Sequence, residues 1–219
     1  MQTTHTTFPL ADQTVHRITF DLTTFTDADL LWLPHHAQIT PAGRKRKAEH
    51  LAGRIAAAHA LSALHDRALP GIGPNGEPLW SKGISGSITH SGSQAMAIAI
   101  RHQNALIGID CEAILSENDA QEIKGGIIDP QEDAILSRSG FPFALALTLT
   151  FSAKESLFKA LFPQVKRLMG FDCARVLSLN DTTLTLALNH TLNNIKKNQN
   201  ITLSWCRFDA TIVTLLCRI

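Results

Sequence analysis

The sequence predicts an α+β fold of two lobes, each with one long helix packed on a small and mainly antiparallel sheet. Three observations support this prediction: a long helical pattern in each half of the chain, several strand-like runs around each helix, and a glycine-containing hairpin signal in the first half. With 219 residues the chain can bury a substantial core. We expect an N-terminal lobe over 1–103 and a C-terminal lobe over 104–219.

Each element of the first half follows from its own pattern. Residues 14–22 alternate apolar and polar side chains, as a half-buried strand does. Residues 41–65 place small and apolar side chains at helical spacing and predict the long helix. A turn-rich stretch at 70–78 separates this helix from two strands that are joined at 91–93, where Ser-Gly-Ser is a hairpin signal.

The second half repeats this organisation with different elements. Residues 105–114 predict a strand, and a turn-rich, acidic region is expected from 116 to 140. A helix is predicted at roughly 145–162. Three strand-like runs then close the chain: 173–180, 183–190, and 201–208 continuing into 210–217.

Composition excludes several classes of protein. The chain is 44% hydrophobic with a formal net charge of +1, so it has no overall attraction for nucleic acid. The four cysteines show no Cys-x-x-Cys spacing, which predicts free thiols in a reducing compartment. The first residues lack the basic and apolar regions of a signal peptide, and the apolar run 141–153 is too short to span a bilayer. We therefore expect a cytoplasmic protein with no membrane span.

The stretch GIDCE, residues 108–112, is the first candidate site. Alternate side chains of a strand share a face, so Asp110 and Glu112 project together, with Gly108 expected to leave open space beside them. Two adjacent carboxylates repel each other unless a cation lies between them, and hard oxygen ligands suit Mg²⁺. The alternative is a strand edge whose acids face water.

The stretch FSAKESLFKALF, residues 151–162, has a local explanation and a possible chemical one. Ser152 and Glu155 have the spacing of a capping box, and Glu155 with Lys159 is an i,i+4 ion pair. These features are ordinary in a helix. A partner site elsewhere in the chain would be needed to give Glu155 a chemical role.

The basic run RKRK, residues 44–47, begins a row of polar side chains on one helical line: Arg46, His50 and Arg54. Such a row could bind a series of phosphates, or it could be a solvated basic face. Arg54 favours the first interpretation, because it lies among apolar residues where an unpaired charge is costly. His90, a lone histidine near the end of a strand, is more often structural than catalytic.

Several well-known site motifs are absent from the chain. It contains no Gly-x-Ser-x-Gly elbow, no phosphate-binding Walker motif and no dinucleotide glycine fingerprint. No histidine pair has the helical spacing of zinc ligands, so a zinc enzyme is not expected.

Four stretches occur in the order RKRKAEHLAGRIAAAHAL, GSITHS, GIDCE and FSAKESLFKAL, and together they strongly resemble the 4'-phosphopantetheinyl transferases. The likeness extends over nearly the whole chain and is greatest to the subgroup that serves siderophore synthesis. The resemblance implies Mg²⁺-dependent transfer of 4'-phosphopantetheine from coenzyme A to a serine of an apo carrier protein, with release of adenosine 3',5'-bisphosphate. It also implies two similar lobes related by a pseudo-twofold axis, with the active site in the cleft between them.

The same resemblance suggests roles for the acidic residues. Asp110 and Glu112 are similar to the family's Mg²⁺ ligands. Glu155 resembles its third acid, which either ligates the metal or takes the proton from the attacking serine. We favour the role of base, because a hydroxyl is a poor nucleophile until a base removes its proton.

Basic and polar residues match the family's contacts to coenzyme A. Lys159 resembles the lysine that contacts the pyrophosphate, and Lys154 is expected to assist it. Further contacts are expected on the nucleotide's phosphates and on coenzyme A: Arg46, Arg54, Thr89 and His90. One departure is Glu77, which stands where relatives often carry a basic or neutral polar residue, so that it either weakens a coenzyme A contact or points to solvent.

The resemblance also sets the expected partners and the alternatives. We expect a monomer that acts on peptidyl or aryl carrier domains of nonribosomal peptide synthetases, in enterobactin-type siderophore biosynthesis. Peripheral association with a synthetase assembly remains open. One alternative is a carrier-protein-binding scaffold that has lost turnover, and another is a nucleic-acid-binding module that uses RKRK. The near-zero net charge and the absence of tyrosine argue against the second.

Overall fold

The computed structural model describes residues 1–192 and 195–219. The chain divides into two compact units, Met1–Ala105 with Ile219, and Leu106–Arg218. Each unit has its own antiparallel sheet, its own long helix and its own hydrophobic core. The α+β architecture predicted from the sequence is therefore confirmed.

The first unit is built on a four-stranded antiparallel sheet in the order β1-β2-β6-β5. Its elements are β1 (Thr3–Leu10), β2 (Gln13–Phe20), α1 (His36–Ile39), α2 (Arg44–Ala63), β3 (Gly71–Ile72), β4 (Pro78–Leu79), β5 (Ser85–Ser91) and β6 (Gln94–Ile100), with β3 and β4 forming a separate ribbon. Short 3₁₀ helices at Leu22–Thr24 and Asp27–Trp32 lie between β2 and α1. The predicted hairpin is confirmed, and Gly92 turns it with a φ of +56°.

Strand β1 was not predicted from the sequence. It is rich in threonine and mostly exposed, so it lacks the apolar alternation by which a strand is recognised. Strand β1 is instead stabilised by its hydrogen-bonded pairing with β2, which extends over its whole length.

Helix α2 packs on β6 and β2 through small side chains. Five of its alanines are buried, and a Cβ at Gly53 would approach Ile88 Cγ2 to 2.9 Å. Small residues thus bring the helix backbone close to the sheet. The helix begins three residues later than predicted, because Gly43 is its N-cap.

The second unit is a five-stranded antiparallel sheet in the order β7-β11-β10-β9-β8. Its elements are β7 (Leu106–Ala113), α3 (Glu117–Ile123), α4 (Pro130–Ser137), α5 (Phe143–Val165), β8 (Ala174–Leu179), β9 (Thr183–Leu188), β10 (Asn200–Phe208) and β11 (Thr211–Arg218). Further 3₁₀ helices lie at Lys124–Gly126 and Phe171–Cys173. Helix α5 packs across β7 and β11.

Helix α5 corrects the prediction of a capping box. Ser152 and Glu155 lie in its interior, because the helix begins at Phe143 with Pro142 as its N-cap. The mainly apolar, buried residues 144–150 extend the helix toward its N-terminus, so the Ser-x-x-Glu spacing has no free amides to satisfy. Within the described ranges, no helix combines enough length with enough apolar character to cross a membrane.

The region 116–140, expected to consist of turns, contains two helices. Ser116 caps α3 by accepting from Asp119 N at 3.1 Å. Asp129 caps α4 in a capping box with Glu132, and Pro130 is the first helical residue. The prediction was wrong because Ser, Asp and Pro are favoured both in turns and at helix starts.

Candidate active site

The carboxylates of β7 face helix α5 because Gly108 admits the helix backbone. A Cβ at this position would overlap the carbonyl oxygen of Ser156 and lie 2.8 Å from Ala160 N. The expectation that Gly108 leaves open space is therefore wrong, since α5 fills that space. The close approach places residues 155 and 159 of the helix beside the acidic face of the strand.

Asp110 and Lys159 form the central contact of this site. Lys159 Nζ donates to Asp110 Oδ1 at 2.6 Å and to the carbonyl oxygen of Ile109 at 3.2 Å. The Asp110 side chain is 5% exposed and that of Lys159 is 26% exposed, so the lysine is the more accessible partner of the pair. A charge-assisted bond of this length holds the lysine against the strand.

The two glutamates complete an acidic cluster. Burial raises the pKa of Glu112 from 4.5 to about 7, with further increases from Asp110 and Glu155 and an opposing effect from Lys159. The pKa of Glu155 is also raised, by burial first and then by Asp110. The structure thus brings Asp110, Glu112, Glu155 and Lys159 close enough for their charges to interact.

A divalent cation fits the chemistry of this cluster. Within residues 1–192 and 195–219, no group of three or more His, Cys, Asp or Glu side chains is arranged to hold a metal ion. The donors nevertheless suit Mg²⁺, because Asp110 and Glu112 present hard carboxylate oxygens on one face of β7. A cation would also oppose the rise in the pKa of Glu112, which burial causes first and the charge of Asp110 increases.

Lys154, also expected to contact coenzyme A, lies elsewhere on α5. Its Nζ is 2.8 Å from Glu132 Oε1 and donates to the carbonyl oxygens of Ile127 and Phe171 at 2.8 and 3.0 Å. The side chain is 4% exposed. Three protein oxygens therefore take the three protons of this ammonium group.

In the first unit, Arg46 and His90 are in direct contact. Arg46 Nη1 lies 2.8 Å from His90 Nε2, and because arginine only donates, His90 Nε2 accepts and its proton is on Nδ1. That Nδ1 faces Glu49 Oε2 at 3.7 Å. The motif SITHS is thus joined to the basic helix α2, and Thr89, on the same strand β5, is buried.

Arg54 and His50 occupy the buried part of the same helical line. Arg54 Nε and Nη2 donate to the carbonyl oxygens of Pro70 and Gly71 at 2.9 and 3.0 Å. Burial and then Arg46 lower the pKa of Arg54 to about 10. Burial and the Arg54 charge lower the pKa of His50 to about 3, so this histidine is neutral and pairs with His35 at 2.9 Å.

Glu77, which departs from the residue types that relatives often carry, makes a contact within its own turn. Glu77 Oε2 accepts a hydrogen bond from Asn75 N at 2.9 Å, within the turn between β3 and β4. The Glu77 backbone carbonyl also accepts from Gly73 N at 2.8 Å. The carboxylate therefore stabilises its own turn.

Three residues that contact these sites were not predicted from the sequence: Glu49, Glu132 and Thr214. Glu49 stands beside His90, and Glu132 holds Lys154. Thr214 hydrogen bonds to the two serines of FSAKES. The one available signal was Thr214 itself, a polar residue inside the apolar run ATIVTLLC.

The chain is similar in sequence to two family models and to several known proteins. The 4'-phosphopantetheinyl transferase N-terminal domain matches residues 34–100, and the 4'-phosphopantetheinyl transferase superfamily matches residues 106–207. Enterobactin synthase component D of Salmonella typhi is 45% identical over 219 residues, which cover 100% of this chain and 92% of the relative. The protein of the same name from Escherichia coli is 41% identical over 215 residues, or 98% of each chain. The 4'-phosphopantetheinyl transferase PptT of Mycobacterium tuberculosis is 34% identical over 159 residues, or 69% of this chain and 67% of the relative.

These matches cover both units and include the strand and helix that carry the acidic cluster. They confirm the resemblance drawn from the sequence motifs, including the likeness to enterobactin synthase component D. The chain belongs to the 4'-phosphopantetheinyl transferase superfamily.

Proposed function

We propose that this protein transfers 4'-phosphopantetheine from coenzyme A to a serine of an apo carrier domain in enterobactin-type siderophore biosynthesis. The observation that carries the proposal is the partly buried cluster of Asp110, Glu112 and Glu155 with Lys159, in a chain 45% identical to an enterobactin synthase component D. Nothing in the comparisons favours the non-catalytic scaffold.

In the reaction, the serine oxygen attacks the phosphorus that carries the pantetheine. A new phosphate–oxygen bond forms to the serine, and the pyrophosphate bond to the nucleotide breaks. Adenosine 3',5'-bisphosphate leaves with the electron pair of that bond. The serine proton passes to a base, and the raised pKa of the Glu155 carboxylate makes it a stronger base than an exposed glutamate.

Lys159 serves the leaving group in this proposal. The Lys159 side chain is the more exposed partner of the pair with Asp110, so we expect it to meet an incoming phosphate while it keeps its position on β7. A fixed cation beside the pyrophosphate stabilises the charge that develops as the bond breaks. Asp110 is the catalytic partner that holds the lysine in place.

Asp110 and Glu112 would hold a Mg²⁺ ion, and Glu155 would be a third donor in the alternative in which it is not the base. When bound, the ion supplies Lewis-acid polarisation of the pyrophosphate and neutralises part of its charge. The residues themselves provide carboxylate oxygens on one strand face and a lysine that balances them until the ion and substrate arrive.

Residues of the first unit are proposed to bind the phosphates of coenzyme A. Arg46 and His90 form the best candidate pair, because their contact presents two nitrogen-bearing groups together. Arg54 and Thr89 remain proposed contacts. The guanidinium of Arg54 already donates to two carbonyl groups, so this residue also stabilises the backbone at 70–71. Lys154 is better explained by its contacts with protein oxygens.

The test is the intact mass of an apo carrier domain after incubation with this protein, coenzyme A and Mg²⁺. We expect a gain of one phosphopantetheine, its loss with EDTA, and its loss in Asp110→Ala. Peptidyl and aryl carrier domains are tested in parallel, since their relative rates define specificity. No gain on any carrier would refute the transferase and support the scaffold. Undiminished activity of Asp110→Ala across a magnesium titration would refute the metal assignment.

We also propose that the protein is a cytoplasmic monomer. The full-length likeness to enterobactin synthase component D, a biosynthetic enzyme, supports the location, and the two compact units supplied by one chain support the monomer. Sedimentation of the purified full chain tests the oligomeric state.

A further inference from the structure

A buried hydroxyl lies directly beneath the acidic cluster. Thr214 of β11 is 0% exposed and stands opposite Asp110 in the antiparallel register. Opposed residues of neighbouring strands point to the same face of a sheet, so the threonine side chain faces α5 together with the carboxylate. Its neighbours on that face of β11, Ile212 and Leu216, are apolar core residues.

Thr214 is bonded to two serines of the catalytic helix. Thr214 Oγ1 lies 2.9 Å from Ser152 Oγ and 2.8 Å from Ser156 Oγ, and Ser156 Oγ also donates to the Thr214 carbonyl oxygen at 3.0 Å. Both serines are 0% exposed. One proton arrangement satisfies all of these contacts: Ser156 donates to the carbonyl, Thr214 donates to Ser156, and Ser152 donates to Thr214.

This hydroxyl cluster (Ser152, Ser156 and Thr214) joins α5 to strand β11 of the sheet. Ser152 and Ser156 are one helical turn apart and lie on either side of Glu155 in the sequence. Gly108 already lets the helix backbone touch β7, but a close approach alone does not stop the helix from rotating or sliding. Two hydrogen bonds to one threonine oxygen do, because breaking either leaves a buried polar group unsatisfied.

We propose that Thr214 is a positioning residue for the transfer reaction. Through Ser152 and Ser156 it holds α5 at the rotation that places Glu155 and Lys159 against the carboxylates of β7. The residue does not touch substrate, and its role rests on the proposed function. Valine would fill nearly the same volume, so packing alone does not require a hydroxyl at this position.

The test compares Thr214→Val with Thr214→Ser in the intact-mass assay at saturating carrier domain. We expect Thr214→Val to lower kcat by roughly 10- to 100-fold with little change in the KM for coenzyme A, because misplaced groups affect the chemical step more than binding. Thr214→Ser keeps the hydroxyl and is expected to restore kcat to within about threefold of wild type.

Thr150→Val is the matched control. Thr150 is equally buried on α5, but its hydroxyl bonds to Ala146 of the same helix at 2.9 Å and to no strand among the described residues. It should change stability without lowering kcat. If Thr214→Val does not fold, Ser152→Ala removes one of the two bonds and is expected to lower kcat in the same direction.

The outcomes separate this inference from the proposed function. Wild-type protein that modifies no carrier overturns both. Active wild-type protein with kcat retained in folded Thr214→Val and Ser152→Ala overturns the positioning role alone. A kcat loss in Thr150→Val equal to that in Thr214→Val would also overturn it, because any buried hydroxyl would then have the same effect.

Discussion

At the scale of single residues, the acidic cluster keeps three carboxylates together against their mutual repulsion. Lys159 offsets part of that repulsion through its bond to Asp110. The pKa of Glu112 is nevertheless raised to about 7, and that of Glu155 is raised as well. Carboxyl groups with such raised pKa values are candidates for proton transfer or cation binding. Their charged forms are destabilised, so taking up a proton or binding a cation is favourable.

Replacing Glu155 by glutamine is expected to remove the proposed base. The transfer rate should fall by about 10²- to 10⁴-fold, the range expected for general base catalysis. The measurement is the rate of mass gain of a carrier domain, with circular dichroism to check the fold. Glu122→Gln, on the exposed face of α3, is a charge-matched control and should keep wild-type activity. Wild-type turnover by Glu155→Gln would refute the assigned role.

The raised pKa of Glu112 predicts a pH dependence of stability. A carboxyl group that binds its proton more tightly in the folded protein stabilises the fold at low pH, and that contribution is lost as the pH rises from 4.5 to about 7. In metal-free protein, Glu112→Gln should reduce this loss, and the part that remains is expected from Glu155, whose pKa is also raised. Urea unfolding across pH 4.5 to 7.5 measures it. Added Mg²⁺ should reduce the loss of stability in the wild-type protein. If the free energy of unfolding depends on pH in the same way in both proteins, the raised pKa of Glu112 is contradicted.

At the scale of elements, helix α5 is held from different sides by different groups. Gly108 and Thr214 bind it to the sheet, and Lys154 ties it to α4 through Glu132. Glu132 also accepts from Val176 N at 2.8 Å and from Asp129 N at 3.0 Å, which connects β8 to the start of α4. The reactive residues therefore sit on a helix whose position is determined by several packed elements.

The buried pair of Lys154 and Glu132 is expected to be structural. Lys154→Met should lower the free energy of unfolding by about 3–5 kcal/mol, because it leaves a buried carboxylate without its partner. Adding Glu132→Gln should recover part of this loss, with a coupling of about 0.5–3 kcal/mol in urea unfolding. A direct contact with coenzyme A predicts instead a raised KM that Glu132→Gln does not restore.

At the scale of the whole molecule, the charges are balanced but unevenly distributed. The formal net charge is +1, yet Arg46 and Arg54 lie on one helix with His50 between them. Buried Arg54 is bonded to carbonyl groups, so it is not part of a solvated face. The row Arg46, His50 and Arg54 therefore does not form a continuous solvated basic face for a long polyanion. Nucleic-acid binding with a steep salt dependence would revive the alternative.

Coenzyme A should stabilise the protein by binding to the folded state only. At a concentration 100 times its Kd, the expected gain is about 2.7 kcal/mol, seen as a rise in Tm. Arg46→Ala should reduce this rise in Tm and increase the KM for coenzyme A. The substitution removes a guanidinium group beside His90 that is proposed to donate hydrogen bonds to a phosphate. Lys45→Ala, at an exposed neighbouring position, is the control. Equal shifts in all three proteins would contradict the role of Arg46.

Most elements could be predicted because their signals are local. Helix α5, the hairpin of β5 and β6, and strand β7 each show their periodicity or turn residues within a short window. Strand β1 and the two helices between 117 and 137 could not be predicted in this way. The first depends on a pairing partner, and the others begin with residues that also favour turns.

The sequence by itself determined the family, the acidic strand and the reactive helix, because motif order and side-chain periodicity belong to the chain. Only the tertiary structure decided what each group contacts. Lys154 and Lys159 are five residues apart on α5 and thus point about 140° apart. Which of them meets Asp110 and which meets Glu132 depends on how the helix is rotated on its sheet. Gly108 and Thr214, which we propose help to set that rotation, lie far from the helix in the sequence and meet it only in the folded protein.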